Sequence, residues 1–459
     1  MRENLSLFLD LYSLTMAQAY FYYKKNIWAI FDLFVRELPS QRNYLLSAGL
    51  EEIIDFIRKI NFDKVAIEYL REKKIFSESF LNYLKSFRFR GDVWAVPEGE
   101  ICFANEPLLR VEANIIEAQI LEGFLLNTIN LQTMVASKAS RIVIAAKERQ
   151  VYDFSLRRTQ GKDAGIKVSR SSYIAGFSGT SNVLAGFLYN IPIVGTMAHS
   201  FVMAFRNEQE SFFTYSQCFP EKTILLVDTY DIKKGIQNAI KAGKHLEKRG
   251  FKLLGIRLDS ADLVYWSKRA RSMLDKAGLN YVKILASGNL DEYKITALLK
   301  ENPPIDSFGV GTHMGTSSDI PYLDVIYKLS QISYDKNKRN FLPTMKLSKG
   351  KVTYPGRKQI FRIENKEGFY VKDILGLAEE KINGARPLLK KVIQNGKPIY
   401  KKVPLEKIRE FAKDNLNRLP AIYKCIDKKI VYPVEISFEL RELTGRLEKK
   451  LRKKKYNYD

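Results

Sequence analysis

Between residues 151 and 310 the chain repeats one pattern that few folds accommodate: a short apolar run, a cluster of small or polar residues, then a stretch of helical length. The apolar runs fall at 151–156, 173–177, 191–194, 224–228, 253–258, 283–286 and 307–310, with helix-patterned segments such as 232–249 and 263–277 between them. Runs this short read as strands buried on both faces, and strands alternating with helices make parallel βα units. About seven in succession predict a βα barrel rather than an open sheet. Polar residues gather where each run ends, and in such a barrel that end is the ligand-binding face.

The flanks follow different rules. Residues 5–23 have helical spacing, 28–39 read as a strand closed by Pro39, and 48–60, 64–73 and 78–87 as further helices. Pro97, Gly99 and Pro107 punctuate 91–111 into a small antiparallel sheet, and a long helix covers 117–147. Beyond Ile332 the sequence turns basic; 346–362 reads as a hairpin and a strand, and the tail ends in a charged helix. The division expected is an α/β N-terminal domain over 1–135, the barrel over 136–335, and a basic region over 336–459 that packs on the N-terminal domain as one split domain.

Bulk properties narrow the function. The longest apolar runs fall far short of the roughly 20 residues that span a bilayer, and Asp10 interrupts the apolar start, so neither a membrane span nor a secretory signal is expected. A cytoplasmic location follows. Cys102, Cys218 and Cys425 lie far apart, which supports neither a disulfide framework nor a zinc knuckle. The net charge of +24 favours anionic partners, either phosphorylated small molecules or nucleic acid. No nucleic-acid-binding signature accompanies the basic runs at 336–339, 390–391 and 449–455.

Five clusters occupy the strand ends. In SLRRTQGKDAG (155–165), Arg157 and Arg158 form either an anion clamp or a solvated pair. GFSGTSNVLAG (176–186) is a small-residue loop opening a helix, an anion site or a tight turn capped by Ser178 or Thr180. IPIVGTMAHSFVMAF (191–205) places His199, one of only three histidines, where a strand hands over to a helix; it reads as reactive or as a hydrogen-bonded structural group. GIRLDSADL (255–263) carries Arg257, Asp259 and Asp262, and strand alternation aims Arg257 and Asp259 together into the barrel mouth. Inward charges are costly unless a ligand balances them; the arginine suits a carboxylate, the aspartates ribose hydroxyls or Mg²⁺. Finally LASGNLD (285–291) and FGVGTHMGTSSD (308–319) are glycine-rich turns, as in the phosphate sites of late barrel strands.

Together with LDLYSLTMAQAY near the N-terminus and KLSKGKVTYPGRKQIFR after the barrel, these segments resemble the nicotinate phosphoribosyltransferase family over residues 9–362. The resemblance implies an irregular βα barrel of the type II phosphoribosyltransferase kind with a split α/β domain, and a homodimer with shared active sites. It also implies a reaction: nicotinate and 5-phosphoribosyl 1-diphosphate give nicotinate mononucleotide and diphosphate, with Mg²⁺, and with ATP as co-substrate spent through a phosphohistidine. On it His199 is the phosphorylated residue and Asp259 catalytic. Tyr12 stacks on the pyridine across the dimer interface, Thr196 and Arg257 contact nicotinate, and Thr312 contacts the phosphoribosyl phosphate. Arg157, Arg158, Ser287, Gly288 and Gly311 complete the substrate-binding set, and metal ligands stay unassigned. LDSAD departs from the family's more usual LDSGD, so Ala261 is expected to stiffen that turn, and HMG at 313–315 is an unusual continuation of the GVGT loop. Ser181 stands where the nicotinamide enzyme carries an aspartate, which favours the acid substrate. The alternatives are a related enzyme using nicotinamide or quinolinate, or a non-catalytic basic protein that binds nucleic acid.

Overall fold

A computed structural model describes residues 4–24, 26–335, 340–348 and 353–455. The chain forms two compact units, one from residues 1–134 and 322–459, the other from 135–321. The long helix Ile115–Ala146 contains the boundary between them.

The first unit is built on a seven-stranded sheet in which the interior strand Trp28–Val35 pairs antiparallel with Val325–Ser333 on one side and with Pro107–Asn114, the middle strand, on the other. Seven of the eight residues of Trp28–Val35 are buried, as a central strand requires. The helix Leu50–Lys59 buries Leu50, Ile53, Ile54, Phe56 and Ile57 at helical spacing, with Glu51 and Glu52 in its first turn and Arg58 and Lys59 in its last, each sign favourable to the helix dipole. Asp63 and Ser77 cap the helices Lys64–Glu72 and Glu78–Lys85 by accepting from Ala66 N and Phe80 N.

The C-terminal segment completes this unit: Lys390–Gln394 pairs with Asp92–Ala95 in the large sheet, and Lys358–Glu364 and Tyr370–Leu377 lead a second, four-stranded sheet. Buried ion pairs tie the segments together. Lys358 Nζ lies 2.7 Å from Asp32, and Arg362, fully buried, meets Glu100 at 2.6 Å and Asp373 at 2.6 Å. The strand expected at the end of 346–362 is present as Lys358–Glu364, whereas the middle of the hairpin, 349–352, and the basic run 336–339 lie outside the described residues.

The second unit carries a six-stranded, wholly parallel sheet in the order Gly179–Thr180, Gln150–Asp153, Ser307–Val310, Lys283–Ala286, Gly255–Leu258, Ile224–Leu226. It curls as an open half-barrel. Helices return between the strands, among them Ile232–Lys248 and Leu263–Lys276. Its long-helix end is fixed by buried charges: Glu292 pairs with Lys138 at 2.6 Å and Arg141 at 2.9 Å.

Two expected strands differ. Residues 173–177 begin as the end of the helix Lys162–Ile174, and the strand of this unit follows at Gly179–Thr180. That helix is buried continuously from Lys167 to Ile174, polar residues included, so it has no solvent face there to sort polar from apolar positions, and without that sorting helical periodicity does not show in the sequence. Residues 191–194 form only one parallel bridge, Ile193 to Thr180. Among the described residues no helix is long and apolar enough to cross a membrane.

Candidate active site

At the C-terminal ends of the parallel strands the polar clusters converge on one side chain. Arg257, on Gly255–Leu258, donates from Nη1 to Thr196 Oγ1 at 2.8 Å, from Nη2 to Asp259 Oδ1 at 3.1 Å and from Nε to Ser287 Oγ at 3.1 Å. Its guanidinium also lies 5.7 Å from the centre of the Phe154 ring. Asp259 in turn accepts a short hydrogen bond from Ser287 Oγ. Burial alone would raise the Asp259 carboxyl, but the Ser287 bond and the Arg257 charge hold it below the usual aspartate range.

His199 opens the short helix His199–Met203 and is 42 % exposed. Its Nδ1 lies 3.1 Å from Thr229 Oγ1 and its Nε2 3.8 Å from Asp259 Oδ2, so both ring nitrogens face named groups. Thr229 follows the strand Ile224–Leu226, and next to it stands Asp228. Asp228 Oδ2 accepts from Asp259 N at 2.9 Å and from Ser260 Oγ at 2.7 Å; its other oxygen is buried without a hydrogen-bond partner among the described residues. Asp228 and Thr229 are not among the five expected clusters, although VDTY has the same pattern of polar residues after an apolar run.

Glycine matters at one point above all. Gly288 has φ +101°, and a Cβ there would lie 1.9 Å from the Asp259 carbonyl oxygen, so only glycine lets the 285–291 turn close on the aspartate loop. On the other loop, a Cβ on Gly311 would meet Phe154 O at 3.1 Å; Thr312 beyond it is exposed and begins the short helix Thr312–Gly315. Arg157 and Arg158 are both exposed on the turn after Gln150–Asp153, with no ion-pair partner among the described residues.

The structure therefore brings His199, Thr196, Arg257, Asp259 and Ser287 into one bonded constellation, with Gly288 closing on it. Asp262 does not join it: its side chain accepts from Tyr265 N at 2.9 Å and caps the helix Leu263–Lys276. Likewise Asn182, rather than Ser178 or Thr180, caps the helix Val183–Tyr189. Tyr12 belongs to the first unit, where it starts the helix Leu11–Tyr23 and is 46 % exposed. Partial burial and the Glu122 carboxylate push its phenol up to about 12, so it stays neutral at physiological pH.

A parallel half-barrel with an arginine, paired carboxylates and glycine-rich turns at its strand ends, carried with a split antiparallel unit, defines a phosphoribosyltransferase of the type II kind. Comparisons narrow the class. Three family models match in order: the nicotinate phosphoribosyltransferase N-terminal domain over 7–130, the family proper over 149–366 and the C-terminal domain over 383–444. Nicotinate phosphoribosyltransferase pncB2 of Mycobacterium tuberculosis is 46% identical, covering 94% of this chain and 91% of its own. The nicotinate phosphoribosyltransferase of Bacillus subtilis is 37% identical, covering 98% of each. Among solved structures, human nicotinic acid phosphoribosyltransferase superposes with a TM-score of 0.86 at 27% identity, covering 96% of this chain and 99% of that one. The Pyrococcus furiosus nicotinate-nucleotide pyrophosphorylase shares the fold, with a TM-score of 0.73. The chain belongs to the nicotinate phosphoribosyltransferase family, enzymes of NAD salvage.

Proposed function

We propose that the constellation around Arg257 binds nicotinate beside 5-phosphoribosyl 1-diphosphate, and that ATP hydrolysis drives the transfer through a phosphorylated His199. The observation that carries this reading is the bonding of Arg257. A guanidinium has five N–H groups, and the protein uses three of them, one on each nitrogen. The remaining two lie one on each terminal nitrogen, and a carboxylate is the ligand that a guanidinium binds bidentately through two N–H groups. Nicotinate offers that carboxylate, and Thr196 adjoins it. Ser181, half-buried, puts no competing negative charge in its loop, which favours the acid over nicotinamide.

In the transfer, the pyridine nitrogen forms a bond to the ribosyl anomeric carbon as the bond to diphosphate breaks. Positive charge develops on the sugar and negative charge on the leaving group. Asp259, kept ionised by its neighbours, suits the first, and the exposed Arg157 and Arg158 the second. Gly311 and Thr312 offer a backbone N–H and a hydroxyl for the 5-phosphate. Mg²⁺ would neutralise part of the diphosphate charge. No group of three acidic, histidine or cysteine residues among the described ones is arranged to hold a metal, but Mg²⁺ is ordinarily held by one or two carboxylates plus substrate phosphates. The unpartnered oxygen of Asp228 fits that role. Phosphorylating His199 adds charge and acceptor oxygens next to Asp259 and reorganises the site.

The active assembly we propose is a homodimer in the cytoplasm, with Tyr12 stacking on the pyridine of the partner subunit's site. Exposed apolar side chains on Leu11–Tyr23 and on Val183–Tyr189, including Tyr23 and Phe187, support an interface.

ATP carrying a labelled γ-phosphate tests the coupling: acid-labile label is expected on the wild type and absent from His199→Ala. An unlabelled wild type that still forms nicotinate mononucleotide would remove the phosphohistidine and leave the transfer. Steady-state rates with nicotinate, nicotinamide and quinolinate test the base, and a preference for nicotinamide overturns it.

A further inference from the structure

The exposed turn that carries Arg157 and Arg158 hangs from a buried carboxylate to which the reaction gives no direct part. Asp153 ends the strand Gln150–Asp153 and is 1 % exposed. Its Oδ1 accepts from Ser155 N at 2.8 Å and from Ser155 Oγ at 2.5 Å, an Asx-type closure that folds the chain back directly before the two arginines. Its Oδ2 accepts from Ser169 Oγ at 2.8 Å, on the helix Lys162–Ile174, and from Thr180 Oγ1 at 2.7 Å, on the strand Gly179–Thr180. The backbone carbonyl of Asp153 accepts from Ser181 N at 2.8 Å. Ser155 also sits flush against a third loop: a Cβ on Gly315 would lie 2.3 Å from the Ser155 Cβ.

One residue thus bonds the arginine turn and the Thr180–Asn182 loop, and Ser155, which it holds, lies against the 311–315 turn. A fold needing only burial at this position is served as well by an apolar side chain, because an isolated buried charge must recover its desolvation cost from its partners. A carboxylate saturated by one amide and three hydroxyls holds its neighbours in a single arrangement. It does so at the strand end, where ligands bind.

We infer that Asp153, with Ser169 and Thr180, is a positioning residue that sets affinity for the diphosphate-bearing substrate by holding the Arg157–Arg158 turn in place. This rests on the reading of those arginines as the diphosphate clamp.

Asp153→Asn keeps the volume but replaces one acceptor oxygen with an N–H donor. It is expected to raise KM for 5-phosphoribosyl 1-diphosphate by about tenfold to a hundredfold, in line with small displacements of a substrate clamp, with KM for nicotinate moved less than about twofold. Ser169→Ala, which removes a single donor, is expected to act in the same parameter by roughly threefold and covers the case in which Asp153→Asn does not fold. Combining Asp153→Asn with Arg157→Ala and Arg158→Ala is expected to add nothing to the arginine substitutions alone, because coupled residues are not additive. If the arginine substitutions raise that KM while Asp153→Asn and Ser169→Ala move both substrates equally, the inference is wrong and the clamp stands. If the arginine substitutions leave that KM unchanged, the clamp and the inference fall together.

Discussion

Arg362 in the split unit and Arg257 in the parallel unit are both held by carboxylates and aromatic rings, yet they end in opposite states. Arg362 is fully buried; it donates to Asp373 at 2.9 and 2.6 Å, to Glu100 at 2.6 Å and to the Ile101 carbonyl at 2.8 Å, and the Tyr370 ring lies 4.4 Å away. Four of its five N–H groups donate, all to groups that are themselves buried. Arg257 has three bonds, two free N–H groups and neighbours that stay in reach of solvent: the side chains of Asp259 and His199 are 31% and 42% exposed. The same residue types make a clasp in one place and a receptor in the other, and what separates them is how much bonding capacity the protein leaves over.

The comparison predicts two failures of different kinds. Arg362→Ala leaves Asp373 buried without its cation and Glu100 with Arg386 alone, and breaking such a buried pair costs about 3–5 kcal/mol. The expected result is a large fall in unfolding midpoint, or no soluble protein, with activity per folded molecule unchanged. A variant of wild-type stability would mean that water enters the clasp. Arg257→Ala is expected to do the reverse. Losing an oriented donor pair costs about a hundredfold or more in kcat/KM for nicotinate, while the unfolding midpoint moves little. KM for 5-phosphoribosyl 1-diphosphate should hold within about threefold; an equal loss toward both substrates removes Arg257 from its assigned role.

The difference between the two arginines was only half legible in the sequence. Arg257 announces itself because strand alternation sets it beside Asp259 at the end of an apolar run, and charge at that place demands a ligand. Arg362 reads as one more basic residue of a basic tail, since its partners Glu100 and Asp373 are 262 and 11 positions away. The parallel strands were readable where they are buried on both faces, as at Lys283–Ala286 and Ser307–Val310. The helix Lys162–Ile174 was not readable at its end, where Tyr173 and Ile174 look like strand residues and burial on all sides removes the amphipathic signal. Asp153 was missed for a related reason: a carboxylate satisfied by Ser169 and Thr180 depends on residues 16 and 27 positions away.

The clasp can be sharpened through its third carboxyl. Burial, and then the adjacent Asp373 carboxylate, push the Glu106 carboxyl well above its ordinary value. The charge count agrees, because Arg362 and Arg386 already balance Glu100 and Asp373. A carboxyl raised in the folded state stabilises fully below its unfolded value, about 4.3, and that contribution is lost as pH rises toward the folded value. Wild-type stability should therefore fall more between about pH 5 and pH 8 than that of Glu106→Gln, which keeps the neutral shape at every pH. Denaturant unfolding at the two pH values measures it, and identical losses would mean that Glu106 is ionised in the clasp.

The smallest expected effect lies on the open side, at the turn that carries Asp259. Ala261 has φ +67°, a left-handed conformation that costs a residue with a Cβ about 1–2 kcal/mol. Glycine relieves that strain but gains about 0.4–1 kcal/mol of freedom in the unfolded chain, so Ala261→Gly should stabilise by about 0–1.6 kcal/mol. In a chain of this length that raises the melting temperature by on the order of 1–2 °C. Asp259 N and Ser260 Oγ are held by Asp228, not by the Ala261 methyl, so the carboxylate should keep its place and kcat/KM should change less than about twofold. A melting temperature that falls would show that the alanine pays for its strain with a contact that stiffens the receptor, and a fall in kcat/KM at unchanged stability would show that this stiffness serves the reaction.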